Sequence, residues 1–179
     1  MQVANEPLPG TKFDELALPL FDQLYNFARW LTQDTAEADD LVQETYTKAL
    51  RGFSSFQPGT NFRAWMYRIL RNSFLNSRTG LKNMEVFDEE AHEPEKEAST
   101  PESLLIEQAN REMVQQALAD LPVHFREILL LCEVEEMSYQ EIAEALSIPQ
   151  GTVMSRLSRA RKALRELLRQ KLQGGPHGV

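Results

Sequence analysis

The chain has 179 residues, of which 42% are hydrophobic, and its formal net charge is −8. This length allows one medium domain or two small ones, and the apolar fraction is enough for ordinary cores. No apolar segment approaches the roughly 18 residues needed to span a bilayer, and the N-terminus lacks the basic and apolar parts of a signal peptide. The single cysteine, Cys132, lies in an apolar run and excludes a disulfide framework, so the expected location is cytoplasmic.

Charge is strongly segregated along the sequence. Residues 85–107 contain nine acids and one cation, whereas residues 45–84 contain seven cations and no acid. Residues 145–171 contain seven cations and one acid. Two basic islands therefore flank an acidic segment with few apolar residues, which predicts an acidic flexible linker over residues 80–107. Each basic island suits a nucleic-acid partner.

The first predicted domain covers residues 11–79 and is a helical bundle, because its apolar residues recur at helical spacing. One helix follows Pro19, which starts or kinks it. Asp34, with Glu37 three residues later, has the pattern of an N-cap and introduces a second helix that runs to about Arg51. The two apolar stripes are Leu20, Leu24, Phe27, Ala28 and Leu31, then Ala38, Val42, Thr45, Tyr46, Ala49 and Phe53.

A basic and aromatic helix is predicted after the loop Ser54–Asn61, from Phe62 to about Asn76. Its packed side is predicted to be Phe62, Trp65, Met66, Ile69 and Ser73. On the other side Arg63, Tyr67 and Arg71 follow at intervals of four, with Arg68 and Phe74 beside them. A single strand needs such exposed rings, because its bases stack on them for roughly 1–3 kcal/mol each. This side therefore predicts binding to unpaired bases, with Tyr67 as the stacking residue.

The second predicted domain covers residues 108–172 and contains a helix-turn-helix pattern. Leu121-Pro122 ends one helix, and the next is expected over Phe125–Glu133. From Ser138 to Leu167 two amphipathic helices flank the turn segment Ser147–Gly151. Their apolar stripes are Ile142, Ala143 and Leu146, then Val153, Leu157, Ala160 and Leu164. The whole chain is thus expected to be all-α, with two small helical domains.

The last helix has a polar and basic face opposite Leu157, as a major-groove surface requires. That face consists of Thr152, Ser155, Arg159 and Lys162, with Arg156 and Ser158 on its flanks. Cations near a helix C-terminus are also typical of a solvated surface. The turn, the preceding amphipathic helix and the basic face together favour a helix-turn-helix over a plain helical hairpin.

No catalytic constellation is apparent. The three histidines, His92, His124 and His177, lack metal-ligand spacing, and no phosphate-binding loop or nucleophile elbow occurs. The sequence therefore predicts a protein that is not an enzyme and that holds no metal and no cofactor.

The sequence resembles the sigma-70 family of bacterial RNA polymerase sigma factors, specifically the small extracytoplasmic-function type with only regions 2 and 4. The resemblance covers about Phe13 to Lys171 and depends on four stretches in order. They are AEADDLVQETYTKAL (36–50), FRAWMYRILRNSFLN (62–76), LPVHFREILLLCEVEEMSYQEIAEAL (121–146) and IPQGTVMSRLSRARKALREL (148–167).

The resemblance implies a role for each helical face. The helix of residues 36–50 is expected to bind the clamp helices of the polymerase largest subunits, through Asp39, Asp40, Leu41, Gln43 and Glu44. The loop Phe56–Asn61 is expected to capture a flipped base of the −10 element, and Arg63, Tyr67, Arg68, Arg71 and Asn72 to contact the melted strand. The helix Gly151–Arg161 is expected to enter the −35 major groove, with Thr152, Ser155, Arg156 and Arg159 near the bases and Lys162 and Arg165 on phosphates.

Further partners follow from the same resemblance. Family members bind the polymerase flap through region 4 and are usually held inactive by a dedicated anti-sigma factor. Met154 departs from the family pattern, which commonly has lysine or arginine there.

The sequence thus predicts a factor that directs core RNA polymerase to promoter DNA. Two alternatives stay open at this stage. One is a dimeric helix-turn-helix regulator whose first domain senses a ligand or dimerises. The other is an interaction protein that occupies polymerase or an anti-sigma factor without binding promoters.

Overall fold

A computed structural model describes residues 9–79 and 110–174 of the chain. The described residues are helical, with short 3₁₀ and π turns and no strand among them, and they divide between two compact units. The first unit contains helices α1 to α4, and the second contains α5, α6, α8 and most of α7. The all-α class with two helical domains is therefore confirmed. The predicted acidic linker, residues 80–107, lies outside the described residues.

Four helices form the first unit. A 3₁₀ turn at Leu18–Leu20 separates α1 from α2, and a second one at Phe53–Ser55 follows α3. Pro19 lies in the first of these turns, so α2 begins just after it. The helices are α1 Pro9–Ala17, α2 Phe21–Thr32, α3 Thr35–Gly52 and α4 Phe62–Thr79.

The predicted N-cap of α3 is confirmed. The Asp34 carboxylate accepts a hydrogen bond of 2.8 Å from the Glu37 N–H, which satisfies one of the free donors of the first turn. The core of this unit lies where α3 packs against α2 and α4. Its buried side chains include Phe13 of α1, Leu24, Phe27 and Leu31 of α2, Leu41 and Val42 of α3, and Met66, Tyr67, Leu70 and Phe74 of α4.

Four more helices lie within residues 110–174. They are α5 Arg111–Asp120, α6 Val123–Leu129, α7 Tyr139–Leu146 and α8 Gln150–Gln173, with a π-helical turn at Leu130–Val134 after α6. Helices α5 and α6 both pack against α8. The predicted helix end at Leu121-Pro122 is confirmed, since α5 ends at Asp120. The apolar residues of α8 named in the sequence prediction are all buried.

A buried arginine stabilises the end of α5. The Arg126 side chain is 8% exposed. Its guanidinium donates to the carbonyls of Leu118 and Ala119, both at 2.8 Å, and of Leu121 at 3.0 Å. The Leu118 carbonyl also accepts from the Leu121 N–H at 3.3 Å, but the helical N–H four residues on is missing because that residue is Pro122.

Helix α7 begins with a reciprocal capping box. The Ser138 N–H donates to the Glu141 carboxylate at 2.9 Å, and the Glu141 N–H donates to the Ser138 hydroxyl at 3.1 Å. The turn before α8 contains Ser147 at a φ of 56°, in the left-handed region.

Candidate nucleic-acid and polymerase interfaces

The outer face of α3 presents acidic and polar side chains to solvent. Asp39, Asp40, Gln43 and Glu44 are exposed, whereas Leu41 is 5% exposed and belongs to the core. Leu41 is therefore not available for direct contact, because α3 turns it toward the packed side. Glu44 forms an ion pair of 2.7 Å with Lys48 of the next turn, and the Lys48 ammonium also donates to the Ser73 hydroxyl at 3.1 Å.

An aromatic cleft lies beside the loop that joins α3 to α4. The Phe56 ring is centred 5.3 Å from Phe62 and 5.2 Å from Trp65, and it stacks on Phe53 at 6.0 Å. The adjoining cleft has a volume of about 660 Å³. Its lining includes Phe53, Phe56, Phe62, Leu50 and two cations, Lys12 and Arg51. We call this the aromatic cleft.

The loop itself is held by a tight turn and a helix cap. The Thr60 N–H donates to the Gln57 carbonyl at 3.2 Å, and Gly59 between them has a φ of 88°. Proline at the second and glycine at the third position define a type II turn. The Asn61 side chain accepts from the Ala64 N–H at 2.9 Å and caps α4. Asn61 thus has a structural role as the N-cap of α4.

The predicted exposed stripe on α4 is wrong at Tyr67. This side chain is 1% exposed, and its ring packs edge-on against Phe27 at 5.1 Å. Arg63 lies 5.8 Å from the centre of the Tyr67 ring, and Arg68 and Arg71 are half-buried, whereas Asn72 is exposed. A base cannot stack on a ring that is enclosed in this way.

Trp65 was placed in the core and is instead half-buried beside the aromatic cleft. Phe62 and Ile69 are half-buried as well, whereas Ala64, Leu70 and Phe74 are buried. The packed side of α4 is therefore rotated from the predicted one. The reason is that α4 has large apolar side chains on two sides, and spacing alone does not tell which side meets α2 and α3.

The exposed face of α8 also differs from the predicted one. Ser155 is 4% and Arg156 is 9% exposed, so both are buried, and the Ser155 hydroxyl donates to the Thr152 carbonyl at 3.2 Å. Thr152, Arg159 and Arg165 are half-buried, and Lys162 is exposed. Helix α8 thus has buried side chains on more than one side, which a single amphipathic stripe does not describe.

A different stripe of α8 reaches solvent, and we call it the α8 stripe. Its exposed members include Gly151, Met154 and Lys162, and Met154 is 41% exposed. Arg161 pairs with Glu133 at 2.8 Å, a contact that no local spacing predicts because the residues are 28 positions apart. The α8 stripe consists of Gly151, Met154, Ser158, Arg161, Lys162, Arg165 and Arg169.

The single cysteine lies in an environment that disfavours its thiolate. Burial, followed by the nearby Glu133 carboxylate, raises the pKa of the Cys132 thiol, which favours the protonated thiol over the nucleophilic thiolate. In residues 9–79 and 110–174, the possible metal ligands do not gather in groups of three or more. Among the described helices, none combines the length and hydropathy needed to cross a membrane.

Comparison with known proteins identifies relatives over most of the chain. The sequence is 37% identical over 158 residues to the ECF RNA polymerase sigma factor SigE of Mycolicibacterium smegmatis. This match covers 87% of this chain and 61% of the relative. It is 34% identical over 139 residues to the ECF RNA polymerase sigma-E factor of Salmonella typhimurium, with 73% of each chain covered. The chain therefore spans less than two thirds of the Mycolicibacterium relative's length.

Solved structures show the same fold. The sigma factor RpoE in complex with the anti-sigma factor NepR from Bartonella quintana is 30% identical, with a TM-score of 0.67 over 89% of this chain and 98% of that one. CnrH in complex with the cytosolic domain of CnrY is 25% identical, with a TM-score of 0.65 over 90% of each chain.

Two helical units, the second ending in a helix-turn-helix with a basic second helix, define a DNA-binding protein of the transcription machinery. Two family descriptions match the chain: Sigma-70 region 2 over residues 19–83 and Sigma-70 region 4 over residues 111–164. The chain belongs to the sigma-70 family of RNA polymerase sigma factors, and within it to the extracytoplasmic-function type.

Proposed function

We propose that the protein docks on core RNA polymerase, places α8 in the −35 major groove and stabilises the opened strand of the −10 element. Polymerase carries out the chemistry, and this chain contributes binding and positioning without a catalytic group. One observation supports this most strongly: a basic helix-turn-helix and a separate unit with an aromatic cleft bordered by cations occur in the same chain.

The polymerase contact is proposed to be the outer face of α3. Asp39, Asp40, Gln43 and Glu44 form an exposed, acidic surface on one rigid helix, suited to a basic helical partner such as the clamp helices. Leu41 supports this surface from inside the core. The second domain is proposed to contact the flap.

The −10 contact is proposed to centre on the aromatic cleft. An extruded base loses the stacking energy of the duplex, and an aromatic surface such as Phe56 and Trp65 replaces it. Lys12 and Arg51 at the cleft, and the cations of α4, are placed to bind phosphates. The α4 residues that we propose to contact the strand are Arg63, Arg68, Arg71 and Asn72, together with Asn61 at the end of the loop. Tyr67 is buried and supports this surface from the core.

The −35 contact is proposed to be α8. Arg159 is the best candidate for a base contact, since arginine reads guanine through two hydrogen bonds. Lys162 and Arg165 lie further along the helix and suit phosphates. Thr152 belongs to the same proposed surface, whereas Ser155 and Arg156 are buried and are proposed to support α8 from its packed side.

We also propose regulation by an anti-sigma partner in the cytoplasm, where core polymerase works. RpoE and CnrH, whose folds are similar, were both solved with a second protein, in RpoE's case an anti-sigma factor.

Run-off transcription tests the proposal directly. Purified core polymerase is assayed with and without this protein on a fragment from upstream of its own coding region, where such factors often act, and binding to core is measured in parallel. A transcript that depends on the protein is the expected result. Tight core binding without promoter selection on a randomised promoter pool would favour the interaction-only alternative. Absence of core binding would favour the dimeric regulator.

A further inference from the structure

Met154 is a large apolar side chain exposed near the start of α8. It is 41% exposed, whereas its neighbours in sequence, Val153 and Ser155, are 0% and 4% exposed. Every other member of the α8 stripe is glycine, serine or a cation. Met154 is therefore the one member of the α8 stripe that presents a large apolar side chain to solvent.

The helix surface on the N-terminal side of Met154 is open. The residues three and four positions away are its neighbours on the helix, and of these Gln150 and Gly151 are exposed, Ser158 is half-buried and Leu157 is buried. A Cβ added to Gly151 would meet nothing within 4 Å, so the space beside Met154 is open. The cations Lys162, Arg165 and Arg169 lie further toward the C-terminus. In a helix-turn-helix the N-terminal residues of the second helix contact base edges, whereas cations elsewhere contact phosphates.

The chemistry of the side chain limits what it can recognise. A thioether donates no hydrogen bond and is a weak acceptor, so it cannot read the polar edges of bases. The major groove offers one apolar feature, the C5-methyl group of thymine. Methionine suits it, because the side chain is flexible and polarisable and adapts its shape to an apolar contact.

We infer that Met154 is a specificity-determining residue that contacts the C5-methyl group of a thymine in the −35 element. This inference rests on the proposed function, in particular on α8 entering the −35 major groove. It also assigns a role to the position at which the resemblance to the family leads us to expect lysine or arginine.

The test replaces thymine with uracil, which lacks only the methyl group. Holoenzyme assembled from core polymerase and the full chain first selects promoters from a pool with a randomised −35 element. Each −35 thymine of the selected promoter is then changed in turn to deoxyuridine. At one position the affinity of wild-type holoenzyme should fall about fourfold, the effect expected for one buried methyl group.

Two variants connect that effect to Met154. M154A should bind the thymine and uracil promoters equally, whereas the matched control L172A should keep the fourfold difference. Leu172 has the same 41% exposure at the other end of α8. M154R should select guanine in place of thymine at the same position, because arginine pairs with guanine in the major groove.

Two outcomes would overturn the inference while leaving the proposed function intact. In the first, wild-type holoenzyme binds the thymine and uracil promoters equally at every −35 position. In the second, M154A holoenzyme keeps the full difference in affinity between them. A holoenzyme that forms but enriches no −35 sequence would instead refute the proposed promoter recognition, and the inference with it.

Discussion

Ser147 has a left-handed backbone conformation in the turn before α8, with a φ of 56°. A non-glycine residue loses roughly 1–2 kcal/mol there, whereas glycine costs about 0.5–1 kcal/mol through the entropy of the unfolded chain. Ser147→Gly is therefore expected to raise the free energy of unfolding by about 0.5–1 kcal/mol. Urea denaturation followed by circular dichroism measures this change.

Two control variants separate backbone strain from loss of the hydroxyl. Ser147→Ala keeps the Cβ and should change stability little. Ser158→Gly lies inside α8 and should destabilise by about 0.5 kcal/mol. A Ser147→Gly protein as unstable as Ser158→Gly would show that the turn is not strained.

Tyr67 and Trp65 should respond differently to truncation, although both are aromatic residues of α4. Tyr67 is fully enclosed, so Tyr67→Ala is expected to destabilise the first unit by about 3–5 kcal/mol. Trp65 is half-buried beside the aromatic cleft, so Trp65→Ala should stay folded and bind core polymerase but open the promoter poorly.

Promoter opening by the holoenzyme is measured by the permanganate reactivity of the −10 thymines. Phe56→Ala should behave like Trp65→Ala, because the two rings are in contact. Normal reactivity in both variants would exclude the aromatic cleft as the base-binding site and would require another stacking surface.

At the scale of a helix, α5 depends on a residue outside itself. Arg126 donates to three carbonyls at the end of α5, and hydrogen bonds to a charged group contribute about 1.5–3 kcal/mol. Arg126→Met preserves much of the volume but removes the guanidinium donors of all three carbonyls, while Leu118 keeps another donor, the Leu121 N–H. We expect a loss of at least about 2 kcal/mol in the free energy of unfolding of the second unit.

The matched control is Arg111→Met. Arg111 is an exposed arginine at the start of α5, so its replacement should change stability by less than about 0.5 kcal/mol. Equal effects of the two substitutions, measured by thermal unfolding, would mean that the guanidinium contacts contribute nothing beyond a surface charge.

The outer face of α3 allows a binding prediction at the same scale. Asp40→Arg reverses one exposed charge and should weaken core polymerase binding about tenfold or more without unfolding the domain. Asp14→Arg, an equally drastic change at an exposed site of α1, is the control and should bind normally. Competition against a labelled wild-type protein reports both affinities, and an unchanged Asp40→Arg affinity would contradict the placement of the polymerase on α3.

Elements with local signals could be predicted from the sequence. The cap at Asp34, the break at Leu121-Pro122 and the apolar stripes of α2 and α8 depend on neighbours within a few positions, and the structure confirms them. Arg126 had no such signal, because its acceptors belong to the preceding helix. The packed side of α4 was predicted correctly at Met66 and Ser73, which are buried, and wrongly at Tyr67, because both sides of the helix are apolar and packing against Phe27 selects the Tyr67 side.

At the scale of the whole molecule, the aromatic cleft and the α8 stripe belong to different compact units. If both bind one promoter while the protein is held on polymerase, the −35 and −10 elements must lie at a defined distance and rotation. Five base pairs inserted between the elements add about 17 Å and roughly half a helical turn. The expected result is a loss of more than tenfold in run-off transcription by the holoenzyme.

The same five base pairs inserted upstream of the −35 element serve as the control, because they leave the spacing unchanged and should not alter the transcript. Binding to the −35 element alone, measured by footprinting, should also survive the spacer insertion, since α8 still meets its own site. Loss of transcription with an intact −35 footprint would show that the two units act on the promoter as one spaced pair. Equal transcription from both promoters would mean that one unit is sufficient for recognition, and the joint mechanism proposed for this chain would then be wrong.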